Sequence, residues 1–398
     1  MTRLREVLEK HVGPGSAPGA VGLVAGAGGV EMEAVGSTGT DGAAPMRPDS
    51  IFRIASMTKP VTAAATMVLV DEGRLALTDP VAEWLPELAS PVVVRTPESP
   101  VDDVVPAARP ITVLDLLTFR AGYGIPADVA LPAVDMLFRD LDFDPMRPQR
   151  SAAADAWLAA LSRIPLLHQP GETWLYHTCS DILGVLIARA SGTPLPDFFA
   201  ERLFEPLGMD DTAFEVPESK RERFTDLCRL SRPDTAADGA EASEAPDAYG
   251  GVVTADTPDG QWSSVPAFPS GGGGLVSTAA DWHAFARMLL AEGEAGGRRL
   301  LSPDSVRQMT TDQLTAAQRA ASPLFPEGQG WGFGGSVDVD AAKPWNVPGR
   351  YGWVGGSGTS AHLVPSTGTV AILLTQLQLT GPTPPAAMRD FWCYAAGR

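Results

Sequence analysis

A chain of 398 residues with 44% apolar and 20% charged positions is long enough to bury a large core and has an ordinary globular composition. Its formal charge of −18 argues against nucleic acid and anionic membrane as partners, and its apolar runs are far shorter than a membrane span. Cys179, Cys228 and Cys393 are too few and too scattered for a disulfide framework or a zinc site, which favours a reduced, cytoplasmic setting; neither metal nor cofactor is expected.

In chain order, residues 2–12 read as an amphipathic helix without the apolar core of a signal peptide, and 20–36 as two strands around a turn at Ala27-Gly28-Gly29. A helix beginning near Ser56 follows, running to Glu72, then a short amphipathic element over 79–89. Residues 111–124 predict a helix with Thr112 as cap, Asp115 three positions on, and a closing glycine. Further helices are predicted over 151–163 and 180–191. The stretch 232–248 has no large apolar residue and reads as a mobile acidic loop. Residues 271–293 pass from a glycine turn through Ser277 or Thr278 into a helix, the segments around 330–375 alternate like antiparallel strands, and a last helix closes the chain.

Strands at both ends and helices between them predict an α+β fold: an antiparallel sheet flanked by helices, an α/β sandwich with an inserted, mostly helical subdomain. The sheet unit is expected from 1–80 and 255–398, and the insertion from 81–254.

Chemistry concentrates at "FRIASMTKPVTAAA". Proline is tolerated only in the first turn of a helix, so Pro60 places Ser56 at the helix start, one turn from Lys59. There the hydroxyl and amine can meet, first-turn N–H groups can face an oxyanion, and the positive helix end disfavours an ammonium. A desolvated lysine can take the proton of a serine nucleophile. Lysine is scarce, four among 30 basic residues, which makes the pair more telling. Tyr176 closes an apolar run just before a helix, where its phenol could move a proton if adjacent positive charge lowers its pKa. "YGWVGGSGTS" (351–360) crowds glycines into a strand, as a close approach of backbone or substrate would require. The run Gly271–Gly274 lacks the Gly-Lys-Ser/Thr of a phosphate loop and reads as a turn near the site. His177, His283 and His362 have no metal-ligand spacing and read as packed or surface residues.

These motifs, with "ITVLDLLT", "LYHTCSDILGVLIARASG", "FEPLGMDDTAF" and "GGGGLVSTAADWHAFARMLL" in the same order, resemble the serine beta-lactamase and penicillin-recognising superfamily. Within it, the branch near class C beta-lactamases and family VIII carboxylesterases is the most similar. The resemblance implies a beta-lactamase/transpeptidase-like fold, Ser56 as acylated nucleophile, Lys59 as its base or base partner, and Tyr176 as the tyrosine of the Tyr-x-Asn motif. It implies an oxyanion hole from the N–H groups of Ser56 and Gly356, and substrate contacts at Thr178, Trp353, Gly355 and Ser357. Three departures stand out: Thr178 replaces the asparagine, Trp353 and its neighbours replace the Lys-Thr-Gly strand, and "LLTFRAG" replaces "LLTHTSG". Losing the strand lysine weakens recognition of an anionic substrate. The expected activity is hydrolysis of a small-molecule carboxylic ester through an acyl-enzyme. Acyl transfer, amide or D-amino-acid peptide hydrolysis, beta-lactam cleavage and non-catalytic binding are the alternatives.

Overall fold

The computed structural model of the protein describes residues 2–42, 44–142, 144, 146–231, 251–321 and 328–398; the stretch 232–248 lies outside them. Its centre is a seven-stranded antiparallel sheet. The N-terminal hairpin supplies β1 (Gly19–Gly26) and β2 (Gly29–Gly36). The C-terminal third supplies β3 (Gln329–Trp331), β4 (Ser336–Asp338), β5 (Tyr351–Gly355), β6 (Thr359–Val364) and β7 (Thr369–Thr375), in the order β3-β4-β5-β6-β7-β1-β2. β1 sits between its hairpin partner and β7, with Val21 opposite Leu374 and Leu23 opposite Ile372. Strands far apart in sequence therefore share one sheet, all from outside residues 81–254, and the fold is α+β.

Both faces of the sheet are covered. On one, α1 (Arg3–Glu9) and α5 (Ala386–Ala395) pack Leu4, Leu8, Phe391 and Trp392 against Ala371 and Leu373. On the other, Leu23, Tyr351, Trp353 and Ile372 join a core built with α2 (Thr58–Asp71), α3 (Thr178–Ser191) and α4 (Ala279–Leu290). Helix α2 is apolar around most of its circumference, and every residue from Thr58 to Leu69 is buried, as such a pattern requires. Lys59 is its one charged residue before Asp71. Among the described residues, no helix is long and apolar enough to cross a membrane.

Several elements differ from expectation. The helix over 111–124 is confined to Val113–Leu117; its Thr112–Asp115 capping box forms, but Phe119, at φ +59°, turns the chain back long before the glycine. The 79–89 element is two single 3₁₀ turns, Val81–Glu83 and Pro86–Leu88, because Pro86 starts a new turn. Helices Pro132–Asp140 and Pro303–Thr310, each begun by a first-turn proline, were not among those expected.

The glycine-rich strand is explained by backbone approach. The hairpin joining β5 and β6 presses on the residues that lead into Ser56: Ser357 Oγ donates to the Arg53 carbonyl (2.5 Å) and Thr359 Oγ1 to that of Ile54 (3.1 Å). A Cβ on Gly355 would fall 2.4 Å from the Ile54 oxygen and 2.2 Å from Thr359 Oγ1. By contrast, a Cβ on Gly356 meets nothing nearer than Met146 Cε at 3.8 Å. Gly355→Ala is therefore expected to cost about 1–3 kcal/mol in urea unfolding, and Gly356→Ala to leave the midpoint unchanged. Equal midpoints for the two variants would contradict this packing.

Candidate active site

Ser56 lies in a 3₁₀ turn, Ala55–Met57, that runs into α2. Ala55 holds φ at +45°, a conformation L-residues avoid at a cost of about 1–3 kcal/mol, so the surroundings must enforce it. They do so through Thr58 Oγ1, which donates to the Ala55 carbonyl (2.7 Å) and accepts from the Leu275 N–H (3.2 Å), while the Ile54 N–H donates to Leu275 (3.1 Å).

One turn on, Lys59 is wholly buried. Its Nζ lies 2.9 Å from Ser56 Oγ, 2.5 Å from the Gly272 carbonyl and 3.1 Å from His177 Nδ1. Burial pushes the amine down from 10.5 to about 7, with the Asp181 carboxylate opposing. Removal from water, more than the helix end, disfavours the ammonium here.

Tyr176 brings its ring to the same amine, with Nζ 4.8 Å from the ring centroid. Its oxygen accepts from Trp353 Nε1 (2.7 Å). The condition of a lowered phenol pKa is not met: burial pushes it up to about 12, against opposing hydrogen bonds to Ser56 and Trp353. Tyr176 is therefore a neutral O–H donor near pH 7. Phe119, of the unusual "TFRAG", stacks on Trp174 and lies 4.8 Å from the Trp331 ring, part of an aromatic wall that also holds Tyr176 and Trp353.

Behind Lys59 lie residues not foreseen as a group. His177, read as a packed or surface residue, is buried at φ +80°, ψ −68°, a rare and strained turn conformation. Its Nε2 lies 3.1 Å from Asp181 Oδ2. Asp181 Oδ1 accepts from Ser270 Oγ (2.6 Å) and from the Gly272 N–H (2.9 Å). Burial alone would raise the Asp181 carboxyl, but His177, Ser270 and Lys59 hold it below the usual carboxylate range. A Cβ on Gly272 would press to 3.0 Å on both His177 Nε2 and Asp181 Oδ1, so the glycine run does shape a turn at the site. The one sequence signal for this group was the four-residue spacing of His177 and Asp181 beside Tyr176.

A family profile described as Beta-lactamase matches residues 4–390. The chain belongs to the beta-lactamase family. Protein Rv1367c of Mycobacterium tuberculosis is 38% identical over 355 residues, 87% of this chain and 82% of that protein. Esterase EstB of Burkholderia gladioli is 30% identical over 397 residues, 98% of this chain and 94% of its own. Among solved structures, "EstCE1, a hydrolase with promiscuous acyltransferase activity" superposes with a TM-score of 0.76 at 26% identity, covering 98% of this chain and 97% of the other.

Within this beta-lactamase-family chain a cavity of about 410 Å³ opens onto Ser56, Tyr176, Trp353 and Gly356, with Ile125, Met146 and Leu379 on its apolar sides. Among the described residues, neither lysine nor arginine lines it. Of the positions expected to touch substrate, Trp353 is among the residues lining it, and Thr178, Gly355 and Ser357 are not. Thr178 is buried at the start of α3, Gly355 lies against the Ile54 backbone, and the Ser357 hydroxyl is engaged by Arg53.

The Lys59 shift has a thermodynamic signature. Between about 7 and 10.5 the unfolded chain carries a proton that the native amine lacks, so native stability rises with pH across that window. Relative to Lys59→Met, the unaltered protein is expected to gain about 2 kcal/mol from pH 7 to pH 9 in urea unfolding. Parallel pH dependences would show an ordinary lysine.

Proposed function

We propose that the protein is a serine hydrolase of neutral carboxylic esters, working through an acyl-enzyme on Ser56. The observation that carries the reading is the wholly buried Lys59 amine, 2.9 Å from Ser56 Oγ. With the amine near 7 and the phenol near 12, Lys59 is the group matched to act as base at neutral pH. Lys59 takes the Ser56 proton as Oγ bonds to the carbonyl carbon, and the N–H groups of Ser56 and Gly356 receive the oxyanion. Collapse breaks the ester C–O bond, and the departing alkoxide takes the Tyr176 proton, leaving a phenolate beside the Lys59 ammonium and the Trp353 N–H. In deacylation a water attacks the acyl carbon and gives its proton to Tyr176, while the Lys59 proton returns to Ser56 Oγ as it leaves.

The apolar cavity, with neither lysine nor arginine among its described lining residues and with Trp353 where the resemblance would place a lysine strand, suits an uncharged ester better than an anionic beta-lactam. We read 1–80 and 255–398 as the sheet unit and 81–254 as the insertion, so that Ser56 and Lys59 come from one and Tyr176 from the other. Three unpaired cysteines, two of them buried, fit a reduced cytoplasmic setting.

The unaltered protein is expected to hydrolyse p-nitrophenyl butyrate with kcat/KM rising to a plateau through an apparent pKa near 7. Ser56→Ala and Lys59→Ala should each remove about three orders of magnitude or more, and Tyr176→Phe about 10²–10⁴. A fluorophosphonate should phosphonylate Ser56, adding the mass of the probe less that of the HF expelled. Turnover that survives Ser56→Ala, or a higher kcat/KM for nitrocefin than for the butyrate, would overturn the proposal.

Acyl transfer is the second reading, favoured by the likeness to EstCE1. An added short-chain alcohol should then yield the transesterified butyrate; release of butyric acid alone would exclude it.

A further inference from the structure

The surroundings of Lys59 Nζ can be counted in hydrogens and lone pairs. Among the described residues, three groups lie within hydrogen-bond distance of the amine: the Gly272 carbonyl, His177 Nδ1 and Ser56 Oγ. A carbonyl oxygen only accepts, so one N–H must point at Gly272. His177 is decided by its far side. Asp181 takes protons from Ser270 and from the Gly272 N–H on Oδ1, as an ionised carboxylate does, and its Oδ2 therefore accepts from His177 Nε2–H. A neutral imidazole with its proton on Nε2 has a bare Nδ1, which takes the second N–H of Lys59. Burial, with Lys59 adding to it against Asp181, pushes the imidazole below its usual pKa, in keeping with that neutral ring. A neutral amine has two hydrogens and one lone pair. With both hydrogens engaged, the lone pair is left facing Ser56 Oγ.

We propose that His177, held in its Nε2–H tautomer by Asp181, is a positioning residue that turns the lone pair of Lys59 onto the Ser56 hydroxyl. The inference rests on the reading of Lys59 as base and adds what aims it. The proton received from Ser56 fills the lone pair without breaking the bonds to His177 and Gly272, so the ammonium stays in register to return it. The other ionisable groups facing the amine are Asp181 on α3 and Tyr176 just before it. The strained His177 backbone brings Nδ1 toward α2, and Gly272 closes the space behind. A side chain packed only for bulk would need neither the tautomer nor the acceptor.

Two substitutions separate these roles. His177→Phe keeps a ring and removes the acceptor, whereas His177→Asn places an amide oxygen near the position of Nδ1. His177→Phe is expected to lower kcat for p-nitrophenyl butyrate about 10–100-fold with KM within about threefold, and to slow fluorophosphonate labelling of Ser56 equally. His177→Asn should recover at least about tenfold of that loss. Undiminished labelling in His177→Phe, or equal rates in the two variants, overturns the proposal while leaving the Ser56–Lys59 reading intact. Loss of that reading shows separately, as Ser56→Ala retaining activity, and takes this inference with it. Should His177→Phe not fold, ¹⁵N-histidine NMR of the unaltered protein decides: a protonated Nε2 with a bare Nδ1 supports the assignment, and a protonated Nδ1 overturns it.

Discussion

The amine of Lys59 is shut away from water inside a helix that is buried on every side, and the rest of the site is arranged around that confinement. Holding a lysine near 7 instead of 10.5 costs on the order of 5 kcal/mol of native stability below neutral pH, comparable with much of the net stability of a domain. An apolar residue at position 59 would avoid that term. A lysine retained at such cost in a buried first turn points to a use beyond folding, and among the described residues the one hydroxyl it meets within hydrogen-bond distance is that of Ser56.

Close backbone approach sets the geometry. Ala55 and His177 hold positive φ on either side of the amine, Gly355 lets the β5–β6 hairpin lean on the segment before Ser56, and Gly272 lets a carbonyl reach Nζ. Each is a local rule broken where the surrounding hydrogen bonds over-determine the chain. The strain sits at residues flanking the reactive groups and within a rigid frame: the α2–α3 packing on one side and the sheet on the other. Such a frame fixes donors and acceptors before substrate arrives, which is what electrostatic preorganisation requires.

The sheet, its terminal origin and the Ser56–Lys59 pairing were legible in the sequence because each depends on short-range signals: alternation, a proline in a first turn, and one-turn spacing. The capping box at Thr112 was equally legible, yet its helix ended early because Phe119 is drawn into the aromatic wall with Trp174 and Trp331, a tertiary contact no local pattern reports. The condition set for the Tyr176 phenol fails for a related reason. Proximity to a cation argues for a lower pKa, but depth of burial decides, and depth is set by residues far away in sequence. Glycines at 355 and 356 look alike on paper; only the path of Ile54 beside them distinguishes one that must lack a side chain from one that lines the cavity. The roles of His177, read only as packed or surface, and of Asp181 were not legible because their importance lies in what they hold, a lysine more than a hundred residues earlier.

The account stands on an uncharged amine at position 59 near neutral pH. With only four lysines in the chain, ¹³C,¹⁵N-lysine labelling gives few enough ε-CH₂ signals to follow each one through a titration, and Lys59→Met identifies the signal of interest. One signal, absent from Lys59→Met, is predicted to titrate near pH 7. If that signal shows no transition up to pH 9, Lys59 is an ammonium at working pH and cannot accept the serine proton.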